Sequence, residues 1–444
     1  METMTRTNLP IELGDGLVMR WGRADDAEAL AEFNVRIHSD DAANPDRFLG
    51  YWTRDLLSGK HPTTGPEDFT IVVDEKAGGK IVSSLCLISQ TWLYEDMPFG
   101  CGRVELVGTD EAYRRRGLVA RQFEVIHALS ASKGETVQGI TGIPWYYRQF
   151  GYEMALDLHG SALFFWSQPG NDVKVEQEMY RWRAAADSDI PLLQQLYPYH
   201  TQKSLINRQR TETLWRHEMN DPHEDSPYRR RFHIIETNDG QPVAYAEYNL
   251  WREHFILREL GVLPGHSWRA VTLFVTRALK AEAERLNPQR EHPITNILFD
   301  FGPDHPTYDV LGEQLQKPWR PYAWYMRVAD LPGFLRHIGP VLERRLAASF
   351  LAGHSGSVHL NLYRQMFTLT FHNGQLAEIV SFNPKRLEEG DARFPDLTFL
   401  QLLFGRCSLA ELRTMFADCY ASNEATILLN VLFPQRHSQV IGLG

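Results

Sequence analysis

The most specific chemical pattern in the sequence is a basic turn that opens a helix. Within residues 103–127, we predict a strand that ends near Val107, a polar turn, and a helix that begins at Gly117. A helix start offers unpaired backbone N–H groups and the positive end of the helix dipole, which together suit a pyrophosphate. Three consecutive arginines, at residues 114–116, add charge-assisted donors for phosphate oxygens. The pattern indicates a phosphate-binding turn, and the alternative is an ordinary solvated, arginine-rich helix start.

A second pattern, of aromatic residues, follows the next predicted strand at residues 139–143. Residues 145–152 read Trp-Tyr-Tyr-Arg-Gln-Phe-Gly-Tyr, which places Tyr147 three positions before Phe150. A phenol is a weak acid at neutral pH, so Tyr147 could donate a proton, and the alternative is a tyrosine that only packs.

Both patterns resemble motifs of the GNAT acetyltransferases. Arg114-x-x-Gly117-x-Val119 is similar to the family's Q/R-x-x-G-x-G/A acyl-coenzyme A loop, although the small residue of the last position comes only at Ala120. The second segment resembles the family's Y-x-x-F-G-Y/F motif, whose tyrosine commonly protonates the departing coenzyme A thiolate. This resemblance implies the same role for Tyr147.

The resemblance also implies acetyl-coenzyme A as the cosubstrate and no metal cofactor. Backbone N–H groups near the end of the preceding strand should hold the pantetheine and polarise the thioester carbonyl. The predicted cofactor contacts are Val107, Thr109, Arg114, Arg115, Arg116, Gly117, Val119 and Ala120.

The elements that position these residues belong to the first of three segments. Its predicted helices lie at residues 24–36 and 117–130, among several strands. A second α/β stretch follows a polar linker at residues 167–172. The third segment has a long predicted helix at residues 334–349, then alternating strand patterns and more helices, an order that suggests an α+β unit. The predicted domains are residues 1–168, 173–327 and 328–444.

The second segment resembles a decayed copy of the first. Residues 265–270 stand where the basic turn stands but lack the R-x-x-G element, so this copy should not bind coenzyme A, and Tyr308 stands opposite Tyr147. The third segment resembles a sterol-carrier-protein-like domain, especially at residues 331–350. The series resembles the architecture of the Eis (enhanced intracellular survival) family over nearly the whole chain. That implies an α/β and α+β protein with tandem GNAT folds, the second degenerate, then a sterol-carrier-protein-like domain, in a homo-oligomer that is often a hexamer.

Transfer to an amine needs a base for the ammonium group and an acid for the thiolate. In the Eis family the protein's own C-terminal carboxylate acts as the general base, which implies this role for Gly444. Glu105, on the predicted central strand, is the rival base, although a carboxylate beside arginines can simply form an ion pair. We expect His127 to be a surface residue, and Cys86 and Cys101 to be core residues rather than nucleophiles.

An acidic loop and two aromatic residues are the candidate acceptor contacts. Asp40, Asp41, Tyr51 and Trp52 carry carboxylates and ring faces that attract ammonium groups, and the alternative is a solvated acidic loop. The predicted function is acetyl-coenzyme A-dependent N-acetylation of a primary amine, for which the resemblance suggests an aminoglycoside or another polyamine. The alternatives are a lipid-binding protein that works through the third segment and a non-catalytic acyl-coenzyme A sensor.

Composition narrows the classes of partner. Of the 444 residues, 46 are Lys or Arg and 56 are Asp or Glu, so the formal net charge is −10, which disfavours non-specific nucleic-acid binding. The four cysteines are scattered, so neither a disulfide scaffold nor a thiolate zinc site is expected. The sequence has no signal-like leader and no apolar stretch of about 18 residues. We therefore expect a cytoplasmic protein with a small-molecule partner and neither a membrane nor a nucleic-acid partner.

Overall fold

The segment that contains the predicted site folds into eight strands and three α-helices. The computed structural model describes residues 7–167, 177–316 and 319–441 of the chain. The first elements, in chain order, are β1 (Ile11–Gly14), β2 (Leu17–Trp21), α1 (Ala27–His38), α2 (Phe48–Leu57), β3 (Phe69–Asp74), β4 (Lys80–Tyr94), β5 (Met97–Thr109), α3 (Leu118–Ser132), β6 (Val137–Ile140), β7 (Glu153–Leu158) and β8 (Ala162–Phe165). The helices predicted at residues 24–36 and 117–130 correspond to α1 and α3.

The second segment again mixes strands and helices. Its elements are β9 (Tyr180–Ala184), α4 (Ile190–His200), β10 (Ile206–Arg208), α5 (Glu212–Asn220), β11 (Phe232–Thr237), β12 (Pro242–Trp251), β13 (His254–Val262), α6 (Trp268–Leu286), β14 (Asn296–Phe299), α7 (Pro306–Leu311) and β15 (Tyr322–Val328). The start of helix α6 is determined by residues close to it in the sequence. The Ser267 hydroxyl accepts a hydrogen bond from the Ala270 N–H, so the helix carries its own N-cap.

The third segment begins with two short helices, so the single helix predicted at residues 334–349 is wrong. The chain turns between the two helices because Pro340 cannot occupy a helix interior but fits the first turn of the second helix. The elements are α8 (Leu331–His337), α9 (Gly339–Ala347), β16 (Gly356–Asn361), β17 (Met366–His372), β18 (Gln375–Phe382), β19 (Ala392–Arg393), α10 (Phe399–Leu403), α11 (Leu409–Met415), β20 (Tyr420–Ala421) and α12 (Asn423–Leu432). Within the described ranges, no helix is long and apolar enough to span a bilayer.

The strands form three sheets, and two of these share one strand order. The first sheet has the order β1-β2-β3-β4-β5-β6-β15-β7, with β10 paired to the end of β4. The second has the order β9-β11-β12-β13-β14-β8, and the third β18-β17-β16-β19-β20. In the run from β2 to β15 only β5 and β6 are parallel, and in the second sheet only β13 and β14 are. The two six-strand runs therefore match strand for strand.

The last strand of each matching run comes from the other segment. β8 completes the second sheet against β14, and β15 inserts between β6 and β7 of the first. Residues 323–326 of β15 are fully buried, so the first sheet cannot lose this strand without opening its core. Each of these two sheets includes a strand from the neighbouring segment, so the domain boundaries predicted near residues 168 and 327 stay predictions.

The third segment packs its core directly on the first sheet. The ring of Phe334 in α8 lies 5.3 Å from that of Phe99 in β5 and 6.2 Å from that of Tyr94 in β4. The Tyr94 hydroxyl also donates a hydrogen bond of 2.8 Å to the carbonyl of Leu403. A single hydrophobic cluster thus joins both segments.

We expect the exchanged strand β15 to be essential to stability. Trp324 is fully buried, its ring lies 5.6 Å from that of Trp92, and its indole N–H donates to the Val440 carbonyl at 3.1 Å. Trp324→Ala should lower the free energy of unfolding by about 3–5 kcal/mol, measured by urea denaturation. Trp319→Ala is the matched control, because Trp319 is 59% exposed and its loss should cost less than about 0.5 kcal/mol. Equal losses would contradict the importance of the strand exchange.

Candidate active site

A bulge in β5 shapes the predicted site. Ser84 of β4 pairs with Gly108, whereas Cys86 pairs with Glu105, so two β5 residues oppose a single residue of β4. One of the two, Leu106, has a left-handed backbone (φ 53°) that a leucine rarely adopts. The extra residue bends β5 at the end of its pairing with β6.

Beyond the bulge, β5 and β6 part and leave a cleft. The two strands pair only from Cys101 to Arg103, although β5 runs on to Thr109. The cleft between them has a volume of about 790 Å³. Its walls are the end of β5, the start of α3 and the residues that follow β6.

The start of α3 faces this cleft without a side-chain cap. Gly117 is its N-cap residue in a left-handed conformation (φ 71°), and no side chain of the described residues caps its first-turn N–H groups. Inside the fold, Gln122 holds α3 against the bulge, since its amide oxygen lies 2.7 Å from the hydroxyl of Ser83, which lies 3.0 Å from the carbonyl oxygen of Gly108. The first-turn N–H groups are therefore positioned to bind an anion.

The turn between β5 and α3 is fixed by one carboxylate. Asp110 accepts hydrogen bonds from Lys80 at 2.8 Å and from Arg36 at 3.1 Å, and it also accepts from the Ala112 N–H. The Lys80 bond is the main reason why the pKa of Asp110 lies below its usual range. The arginines at residues 114–116 are exposed, and no carboxylate of the described chain forms a salt bridge with them. Their charge is available to a ligand.

All eight predicted cofactor contacts line this one cleft. Sequence reasoning missed several others, namely His38, Gly108, Ile143, Tyr146, Gln149 and Phe150. Tyr146 and Phe150 belong to the aromatic motif, so their nearness to Tyr147 was a usable signal. His38 carries no local sequence signal. It reaches the cleft because α1 packs closely on β5 at Gly108, where a Cβ would lie 2.8 Å from Ile37.

Tyr147 lies beneath the lining of the cleft. It is 3% exposed, and its ring centroid lies 5.2 Å from that of Tyr146 and 5.5 Å from that of Tyr325 in the exchanged strand β15. Burial, with a further contribution from the charge of Glu105, raises the pKa of Tyr147 well above its ordinary value. Its phenol is therefore protonated at neutral pH, as a general acid must be.

Glu105 sits on β5 at the bulge and forms the ion pair that its sequence neighbours suggested. It accepts a hydrogen bond of 2.8 Å from the Arg103 Nε. Burial raises the pKa of Glu105, and Arg103 opposes part of that rise. A carboxylate with a raised pKa is a better proton acceptor than a solvated one. The geometry is compatible with either role, base or ion pair.

Gly444 lies outside the described residues, and the chain that precedes it contacts β15. The Val440 carbonyl accepts the hydrogen bond from Trp324 in β15, next to Tyr325. Farther back, the Ser438 hydroxyl accepts from the Ile206 N–H at 2.8 Å. The last described part of the chain is therefore held against the strand that contacts Tyr147.

The four predicted acceptor contacts do not converge. Asp40 lines the cofactor cleft, whereas Asp41 accepts two hydrogen bonds from its own turn. Tyr51 stacks on His223 with centroids 3.8 Å apart. Trp52 is 4% exposed and stacks on Tyr228 at 4.4 Å. Residues of one helix or loop point in different directions, which places these side chains in separate surroundings.

Three further expectations concern titratable groups near the site. His127 is not a surface residue: its Nε2 lies 2.9 Å from the Tyr152 hydroxyl, and burial lowers its pKa to about 3. At this point helix α3 packs against Tyr152, a contact that the helical pattern of the sequence does not reveal. Cys86 and Cys101 are fully buried, as expected, and burial raises the pKa of both thiols.

The matching place in the second segment is closed. Gly117 is the N-cap residue of α3, whereas the N-cap of α6 is Ser267, two residues after Gly265, and its hydroxyl accepts from the Ala270 N–H. Arg269 donates to the Val310 carbonyl instead of facing a cleft. The start of α6 therefore has a side-chain cap on one of its first-turn N–H groups, which α3 lacks.

Comparisons with known proteins agree with this geometry. The family model of the acetyltransferase (GNAT) domain matches residues 43–155, a range that includes the bulge, the arginines and the aromatic motif. No curated protein matches the chain.

Several solved structures have the same fold over nearly the whole chain. GCN5-related N-acetyltransferases from Kribbella flavida and Anabaena variabilis each superpose with a TM-score of 0.67, at 16% and 14% identity. Both matches cover 96% of this chain, and 98% and 100% of the other. Eis1 from Mycobacterium abscessus has a TM-score of 0.58 at 14% identity, over 96% of this chain and 99% of that one. Residues 43–155 are therefore a GNAT acetyltransferase domain in a GNAT-like α/β fold with mixed sheets, and the protein is an acyltransferase enzyme.

Proposed function

We propose that the protein transfers the acetyl group of acetyl-coenzyme A to a primary amine of a small molecule. The observation that carries this proposal is the convergence, in one cleft, of the β5 bulge, the start of α3 and three exposed arginines that form no salt bridge with a carboxylate of the described residues. In this proposal the arginines and the N–H groups of residues 118–120 bind the pyrophosphate. The exposed edge of β5 at Val107 and Thr109 holds the pantetheine and polarises the thioester carbonyl.

The acid and the base of the reaction are assigned separately. Tyr147 is the proposed acid, since its buried phenol stays protonated until the thiolate forms. The carboxylate of Gly444 is the proposed base, as the resemblance to the Eis family implies, and Glu105 is the alternative. A terminal carboxylate has an ordinary pKa of about 3.3–3.7, so it is ionised at neutral pH and can accept a proton.

The architecture is proposed to be two GNAT folds in tandem, followed by a sterol-carrier-protein-like domain. The identical strand order of the two large sheets supports the tandem, and the self-capped start of α6 supports a second copy that does not bind coenzyme A. The third segment fills its interior with aromatic rings: Phe399 has Phe394, Phe367 and Phe433 within 6.2 Å between centroids. Such packing favours the enzyme over a lipid carrier, which needs an open apolar cavity.

The acceptor class is tested by release of free coenzyme A. We expect purified enzyme to release the thiol from acetyl-coenzyme A in the presence of an aminoglycoside or a polyamine, across a panel that also includes lysine peptides. A protein that binds acetyl-coenzyme A but releases no thiol with any amine would be a sensor rather than this enzyme.

Arg115 should contribute to cofactor affinity. It lines the cleft, is exposed and has a left-handed backbone (φ 64°) that turns it towards the start of α3. Arg115→Ala should weaken acetyl-coenzyme A binding by about 1–3 kcal/mol, measured by calorimetry, because a charge-assisted hydrogen bond is lost. Arg269→Ala, at the matching place of the second segment, should leave binding unchanged. Equal losses would mean that the second copy also binds the cofactor.

Tyr147→Phe removes only the proposed acid. Turnover should fall by about 10²–10⁴-fold with nearly unchanged cofactor affinity. Tyr308→Phe is the control: its hydroxyl contacts the carbonyls of Gly160 and Phe299 at 3.2 Å, so its loss should affect stability rather than turnover. A defect in Tyr146→Phe but not in Tyr147→Phe would move the acid to the neighbouring tyrosine.

Two variants distinguish the proposed bases. If Gly444 is the base, a short extension after it should abolish turnover, and Glu105→Gln should retain most of it. Thermal melts of both variants check that each is folded. A fully active extended enzyme together with an inactive Glu105→Gln variant would assign the base to Glu105.

A further inference from the structure

Away from the cleft, a buried cluster joins the first segment to the second. Asp55 lies in α2, His61 in the loop that follows, and His217 in α5. One potential ligand atom from each residue lies within 4.8 Å of the others. His61 is 7% exposed and His217 is 3% exposed. Two imidazoles and a carboxylate are a donor set that zinc and related divalent metals use in proteins.

His217 stands between two carboxylates. Its Nδ1 lies 3.0 Å from an Asp221 oxygen, and its Nε2 lies 3.1 Å from an Asp55 oxygen. A neutral imidazole has only one N–H, so one of these contacts sets a lone pair against a carboxylate unless a proton or a metal ion lies between. Metal-bound histidines commonly donate their second N–H to a carboxylate. With Asp221 as that acceptor, the Nε2 lone pair faces Asp55.

His61 points an unused nitrogen into the same space. Its Nε2 is buried and has no hydrogen-bond partner among the described residues. Its ring lies edge-on to that of His217, with centroids 4.8 Å apart. The other nitrogen, Nδ1, accepts from the Thr63 N–H only at 3.4 Å, the long limit of a hydrogen bond. The tautomer that carries the proton on Nδ1, and so leaves the Nε2 lone pair free for a ligand, therefore costs little. A buried polar atom without a partner is costly and points to a ligand.

The charges around the cluster also suit a divalent cation. Asp55 and Asp221 bring two negative charges to the His217 ring. Arg208, which acts electrostatically on His61, is itself paired with Glu218 at 2.8 Å. Among the described residues, Asp55 and Asp221 form ion pairs only with His217, so the two carboxylates together match a double positive charge.

We propose that Asp55, His61 and His217 bind a divalent transition-metal ion, with zinc as the expected ion, and that Asp221 orients His217. In tetrahedral zinc sites the donors lie about 2.0–2.2 Å from the metal, and hence about 3.4 Å from one another. The Asp55 and His217 atoms already have nearly that separation, so a small movement of the His61 ring completes the site. Water fills the remaining position. The ion ties α2 of the first segment to α5 of the second.

The test uses the full chain without a histidine tag, stripped by a chelator and titrated with zinc against a chromophoric competitor. Wild type should bind an equimolar amount of zinc, and cobalt should give the visible absorption of a four-coordinate site. Asp221→Asn should lower zinc affinity by about 10–100-fold, and His61→Ala should lower it further. His159→Gln is the matched control, because His159 pairs with Asp300 at 2.9 Å without a third ligand.

Two outcomes would overturn the proposal. Wild type that binds no zinc in the competition titration would make His217 a protonated bridge between Asp55 and Asp221. A cobalt complex with the weak absorption of a six-coordinate ion, unchanged in Asp221→Asn, would place the metal elsewhere on the surface. Both readouts use wild type or the half-exposed Asp221, so they do not depend on whether the buried variants fold.

Discussion

The parting of β5 from β6 is the constraint on which the site depends. A regular strand would continue to pair with β6 and would leave no edge for a ligand. The bulge at Leu106 ends that pairing after Arg103, and α3 then starts at the mouth of the gap. The same bulge carries Glu105, so the cofactor cleft and one candidate base are set by a single irregularity of the backbone.

Because of the exchanged strands, more than one segment contributes residues that pack around the site. Tyr325, in β15, packs on Tyr147, and Trp324 beside it holds the tail at Val440. Residues from the first and second segments therefore meet at the proposed acid, and the third segment contacts the same strand at Trp324. The second segment, whose sheet repeats the strand order of the first, contacts the proposed acid through this one strand.

Sequence reasoning placed residues correctly where their position depends on neighbours in the chain, and failed where it depends on long-range packing. The arginine turn and the aromatic motif lie within residues 114–152 and were predicted, because each depends on neighbours in the chain. The exchange of β8 and β15 could not be read, since an apolar strand fits the interior of any sheet. Trp52 was expected near the acceptor, but it packs on Tyr228, more than one hundred residues away in sequence.

The strand exchange also constrains how the chain folds during synthesis. β15 lies between β6 and β7 and pairs with both, so β7 (residues 153–158) cannot join the sheet in this way until β15, which ends at Val328, has left the ribosome. At about 5–20 residues per second, the roughly 170 intervening residues take on the order of 10–30 s to make. For that time the first sheet has an unfilled slot between two strands, with unpaired edges on both sides. A nascent chain of this kind has to be kept from pairing with other strands, so translation rate and chaperone access become part of how this enzyme reaches its active form.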